Sequence, residues 1–75
     1  MNKIAMEDKE FRVKVGLRIR KYRRMRDMSQ DALAVLTGLS AKTISRIENG
    51  QAPIGMERIR RIAAALEITA EDLIK

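Results

Sequence analysis

The stretch SQDALAVLTGLSAKTISRIENG, Ser29 to Gly50, leaves this chain few folds to choose from: it places two helix starts and two helix stops within 22 residues. Ser29 and Ser40 each precede an apolar-periodic run, where a side-chain oxygen can accept from the free N–H groups of a first helical turn. Gly38 and Gly50 each fall where such a run ends, and a residue without Cβ readily takes the left-handed conformation that closes a helix. Between Gly38 and Ala41 only a tight corner fits. Two short helices are therefore expected, about Gln30 to Thr37 with Leu33 and Ala34 inward, and about Ala41 to Asn49 with Ile44 and Ile47 inward.

The flanks are helical as well. Phe11, Val15, Ile19, Tyr22 and Met25 follow at spacings of four, four, three and three, which predicts one apolar stripe on a first helix from about Asp8 to Arg26. Asp27 occupies its stop position, and residues 1 to about 7 read as a mobile arm. Pro53 breaks the chain after Gly50. A fourth helix is expected from about Met56 to Leu66, with Ile59, Ile62, Ala63 and Leu66 on one face. A short fifth helix starts after Thr69, where the run Thr69-Ala-Glu-Asp72 resembles a capping box. No strand pattern and no internal repeat appears. The expectation is an all-α chain with one domain over residues 8–75.

Composition narrows function. The 75 residues include no Cys and no His, which removes disulfides, thiolate or Cys–His zinc sites and the usual general base. Asp31, Glu48, Asp72 and the other acids do not cluster as a metal site requires. No enzyme activity, metal or cofactor is expected. No apolar run approaches the ~20 residues of a membrane span, and MNKIAMEDKEF lacks the apolar core of a signal peptide. A cytoplasmic protein away from membranes is the expectation. The formal net charge is +6, and from Phe11 to Arg26 there are eight Lys or Arg and no acid. Such a run is either a solvated helix face or a phosphate-facing stripe, and composition does not choose.

Placement helps. Two helices joined by a three- to four-residue turn containing Gly form a helix-turn-helix unit, and the second helix carries Lys42 and Arg46 one turn apart on one face. An exposed Lys or Arg is by default a solvated charge. Here, however, no acid stands four residues from Lys42 to pair with it, and a cation in the first turn opposes the helix dipole. A helix fits the DNA major groove, where such side chains read guanine edges. Ala41 could touch a thymine methyl or be filler. Arg20 and Arg24 lie on the polar side of the first helix, in reach of phosphate alone.

Ser29-Gln30, Leu33-Ala34, Gly38, Ser40, Ile44-Ser45, Glu48 and Gly50 together resemble the signature of the Cro and phage-repressor type helix-turn-helix, the XRE family. The likeness extends upstream to Ile19-Arg20 and Tyr22-Arg23 and downstream to Ile62-Ala63-Ala64-Ala65-Leu66, and so covers roughly Val15 to Leu73. It implies a five-helix bundle of the lambda-repressor-like DNA-binding type. It also implies that Ser40, Ala41, Lys42, Ser45 and Arg46 face base edges or flanking phosphates. Gln30 matches a glutamine that contacts phosphate and braces the reading helix, and Asn49 matches a phosphate contact after that helix. Ser29 and Thr43 complete the expected phosphate set with Arg20, Arg24, Gln30 and Asn49. Arg23 and Glu48 match an internal ion pair, expected to be partly buried, where their spacing alone would allow two surface charges worth little. The chain departs from the family pattern at Asp27 and Glu67, where glycine is usual, at Pro53, one residue early, and at Gly55, where a Ser or Thr cap is common.

The function expected from these readings is sequence-specific binding of double-stranded DNA by a homodimer, on a near-palindromic operator, to regulate transcription as a repressor. Leu73 and Ile74 are the expected dimer contacts. Phage repressors, restriction–modification controllers and antitoxins share this plan, and the sequence does not choose among them. The alternative is a protein-interaction module, such as an antitoxin whose main partner is a toxin protein.

Overall fold

A computed structural model describes residues 8–75. The expected arm, residues 1–7, lies outside the described residues. Five helices follow in order: α1 Lys9–Met25, α2 Gln30–Thr37, α3 Ala41–Glu48, α4 Met56–Leu66 and α5 Ala70–Ile74. Helix α1 packs on α3 and α5, α2 packs on α3 and α4, and α4 packs on α5. The core between them holds Val15, Ile19, Leu33, Ala34, Ile44, Ile47, Ile59, Ile62, Ala63 and Leu66 from the expected faces, joined by Ile54 and Leu73.

Local chemistry sets the boundaries. Ser29, Ser40 and Thr69 each cap a helix by accepting from the backbone N–H three residues on, which satisfies a donor with no partner inside the helix. At Thr69 the box closes, because Asp72 accepts from the Thr69 N–H in return. Asp8 caps α1 by accepting from Glu10 N–H. Gly55 caps α4 with no side-chain bond. Four helices end on a left-handed residue: Gly38 and Gly50, but also Asp27 at φ +55° and Glu67 at φ +60°.

Three expectations need correction. Met25 is two-thirds exposed. Each three-residue step falls about 60° short of a full turn, so two of them in succession leave the buried face, and Arg23, four residues after Ile19, takes the inward position. Asn49 caps α3 and does not belong to its body. Leu73, expected on the surface as a dimer contact, is wholly buried in the core, whereas Ile74 is half-buried. The short α5 turns Leu73 inward against α1 and α4, which leaves it no surface to share with a second chain.

Candidate nucleic-acid interface

The position of α3 is fixed first by backbone. A Cβ built on Gly16 of α1 would lie 2.4 Å from the carbonyl oxygen of Ile47 and 2.6 Å from that of Glu48. Only glycine lets α1 approach the last turn of α3 this closely. Gly50 is equally constrained: its φ is +69°, and a Cβ there would meet the Val13 side chain at 2.8 Å. Arg12 Nε donates to the Gly50 carbonyl at 3.2 Å, which ties the chain leaving α3 back to α1.

A buried polar junction between Arg23 of α1 and Glu48 of α3 lies beside this contact. Arg23 Nε donates to Glu48 Oε2 at 2.6 Å and Arg23 Nη2 to Glu48 Oε1 at 2.9 Å, a two-toothed pair with both residues more than nine-tenths buried. The pair is thus more deeply buried than its expected half-buried setting. Arg23 Nη1 also donates to the Met28 carbonyl at 2.7 Å, and Gln30 Nε2 donates to Glu48 Oε1 at 3.1 Å. One carboxylate at the end of α3 therefore joins α1, the start of α2 and the corner before it. No buried side-chain polar atom among the described residues lacks a partner. Burial opposes the charged form of Glu48. The bonds from Arg23, Gln30 and Arg20, with the Arg23 charge, outweigh it and hold the carboxyl below its ordinary range. The same bond to Glu48 raises the Arg23 pKa, against burial.

With the inner face anchored, α3 turns Lys42, Arg46 and Asn49 to solvent. These three stand at i, i+4 and i+7, which is one helical face. The side chains of Lys42 and Arg46 make no hydrogen bond or ion pair among the described residues. Ser45 lies half-buried beside them, and the half-buried Ala41 methyl packs against the core.

Several expected contact residues are already engaged within the chain. Ser40 Oγ accepts from Thr43 N–H at 3.0 Å and lies 2.9 Å from Thr43 Oγ1. Ser29 Oγ is occupied as the α2 cap. Arg20 was expected as a phosphate contact alone. Its Nη2 donates to Asn49 Oδ1 at 2.7 Å, and its Nε faces Glu48 Oε1 at 3.4 Å. Arg24 is exposed on α1.

The sequence reading missed Gly16 and Arg61. Gly16 stands inside a helix, where it lowers helix propensity and so signals close packing. Arg61 Nη1 donates to the Thr37 carbonyl at 3.2 Å and closes the end of α2 from α4, while its Nη2 pairs with Glu57. Nothing in the sequence marks that cross-helix bond.

Helices of this length, corner and order place the chain beside known proteins. The helix-turn-helix family HTH_3 is matched over residues 19–73. The chain belongs to this XRE-type helix-turn-helix family. It is 38% identical over 60 residues to the uncharacterised HTH-type transcriptional regulator RghRB of Bacillus subtilis (strain 168), covering 79% of this chain and 43% of that protein. It is 39% identical over 54 residues to the uncharacterised HTH-type transcriptional regulator y4aM of Sinorhizobium fredii, covering 72% and 38%. The chain thus spans less than half the length of these curated relatives. Among solved structures, the restriction–modification controller protein C.AhdI of Aeromonas hydrophila superposes with a TM-score of 0.83 at 34% identity, covering 87% of this chain and 94% of the other. The hypothetical transcription factor NHTF from Neisseria gives a TM-score of 0.83 at 29% identity, covering 91% of this chain and 79% of the other. No helix among the described residues is long and apolar enough to cross a membrane.

Proposed function

We propose that the chain binds double-stranded DNA in the cytoplasm as a homodimer and represses transcription from a near-palindromic operator. The observation that carries this reading is the outward face of α3. Lys42 and Arg46 project there with no internal partner among the described residues, on a helix whose other side is fixed by Gly16 and Glu48. A rigid mount with an unpaired cationic face suits base readout, because contact geometry must be set before binding. Arg46 bonds a guanine edge, with Lys42 and Ser45 beside it. Arg24, Asn49, Gln30 and the hydroxyls of Ser29 and Thr43 line the flanking phosphates. Binding is an equilibrium without covalent chemistry.

Assembly follows from reach. One reading helix covers too few base pairs for tight specific binding, and two-fold dimers solve this with half-sites about 34 Å apart. The half-buried Ile68 and Ile74, on the α4–α5 side, are the proposed dimer contacts, with Leu73 supporting them from below. Selection of bound sequences from random duplex DNA tests the reading, and should return an inverted repeat. Arg46→Ala should then lower operator affinity by about 1–3 kcal/mol and relax preference at one base pair in each half-site. Sequences without two-fold symmetry, bound by one protomer at saturation, would overturn the dimer. An equal loss on operator and random DNA would make Arg46 a phosphate contact.

A further inference from the structure

We infer that Arg20 is a positioning residue, whose guanidinium holds the Asn49 carboxamide so that its N–H groups face a DNA phosphate. The inference rests on the reading of Asn49 as a phosphate contact and assigns Arg20 a different task from its neighbours Arg23 and Arg24. Arg20 Nη2 lies 2.7 Å from Asn49 Oδ1. The opposite orientation of the carboxamide would set two donors face to face, since a guanidinium has no acceptor. The bond therefore selects one orientation, with oxygen toward Arg20 and both amide hydrogens turned away from it.

The rest of the junction explains why Arg20 can serve this purpose. Glu48 carries one negative charge, and Arg23 already meets it with two bonds of 2.6 and 2.9 Å. Arg20 approaches the same carboxylate only at 3.4 Å through Nε. That contact orients the planar guanidinium without consuming Nη2. One rigid fork thus spans two consecutive residues at the end of α3, Glu48 within and Asn49 without. Asn49 is exposed at the end of the helix, and among the described residues its side chain makes no other hydrogen bond. An amide held in one orientation loses less freedom when it bonds a ligand than a free one.

Arg20→Met tests this, since it keeps much of the aliphatic stem and removes every donor. The first measurement is side-chain amide ¹⁵N relaxation of Asn49 in the free protein. Arg20→Met should convert an ordered amide into a mobile one while the α3 backbone signals stay in place. An unchanged amide would overturn the proposal. The second is affinity for a random-sequence duplex across a salt series, for Arg20→Met, Asn49→Ala and the double variant. Asn49→Ala should weaken binding about fivefold, as expected for one lost hydrogen bond. Arg20→Met should do much of the same, and the double variant should be little worse than the poorer single one. Fully additive losses, with the salt slope falling by about one unit for Arg20→Met, would make Arg20 an independent phosphate contact. If Asn49→Ala bound like the unaltered protein while Arg46→Ala lost affinity on the selected operator, the Asn49 assignment would fall and this inference with it, leaving DNA binding intact. Absence of salt-dependent binding in the unaltered protein would instead overturn the proposed function.

Discussion

Helices α3 and α4 end in the same backbone reversal, and the surroundings of the two ends differ sharply. At each, a left-handed residue is followed by an N–H that bonds back five residues: Gln51 to the Arg46 carbonyl at 2.8 Å, Ile68 to the Ala63 carbonyl at 3.0 Å. After α3 the left-handed residue is Gly50, with Val13 closing the space around it and Glu48, two residues earlier, held by four bonds from Arg20, Arg23 and Gln30. After α4 it is Glu67, exposed, with φ +60° and an exposed ion pair to Arg26 at 3.0 Å as its side-chain tie. The contrast shows that a shared local shape says little about how strongly it is specified. The end of α3 is determined several times over, whereas the end of α4 carries backbone strain that its side chain does little to offset.

That contrast can be broken by mutation. Glu48→Ala should have the largest effect, because it strands the buried Arg23 charge; loss of one partner of a buried pair costs about 3–5 kcal/mol. Denaturant unfolding checks it, and a change under 1 kcal/mol would mean that the junction is not where α3 is secured. The same carboxylate sets a pH dependence. Its pKa is lowered in the folded state, so its contribution is complete above the ordinary carboxylate range, about 4 to 4.5, and is lost as pH falls below that range. Thermal melts from pH 7 to pH 3 should therefore show a steeper acid decline for the unaltered protein than for Glu48→Gln.

Gly50→Ala should come next. It adds left-handed strain of about 1–2 kcal/mol to a contact that displaces Val13, so a total loss of about 2–3 kcal/mol is expected. Gly38→Ala is the control, with φ +74° but nothing within 4 Å of the added Cβ; it carries the same strain and the same restriction of the unfolded chain without the clash. Equal losses at the two glycines would show that Val13 yields freely.

Glu67→Gly should act in the opposite direction. Relief of about 1–2 kcal/mol of strain is partly offset by the greater freedom that glycine gives the unfolded chain, about 0.4–1 kcal/mol. Its ion pair is exposed and contributes little. A net gain of about 0.5–1 kcal/mol in unfolding free energy is expected, and a loss would show that Arg26 holds this end more firmly than its exposure implies. The smallest effect belongs to Gly55→Ser, which supplies the side-chain acceptor that α4 lacks and should stabilise by a few tenths of a kcal/mol. Calorimetry on the double variant Glu67→Gly with Gly55→Ser should find the gains additive, since they act at opposite ends of the helix.

Legibility in the sequence divides along the same line. The α2–α3 unit could be read from its letters because its caps and stops are local: Ser29, Gly38, Ser40 and Gly50 act within a few residues of their own positions. The inward faces of α2, α3 and α4 followed from period alone. What depended on distant partners was harder to see. The Arg23–Glu48 pair came only through family resemblance, since 25 residues separate its members. Leu73 was misread because a short helix near the end of a sequence carries too little pattern to show which side is covered. Met25 was misread because a run of three-residue steps was followed past the point where it leaves the buried face. Ser40, expected to face DNA, is engaged as a cap, and its single letter fits either use.

Gly16 has a consequence for how such a protein could change its target. Because α1 meets the last turn of α3 backbone to backbone, the seat of α3, the proposed reading helix, does not depend on the exposed side chains on its far side. Lys42, Ser45 and Arg46 can then be exchanged as a set without unseating the helix that carries them. A fixed frame is thereby joined to a replaceable set of outward residues. Retargeting by substitution at those three positions alone should leave the melting temperature nearly constant while the preferred DNA sequence changes.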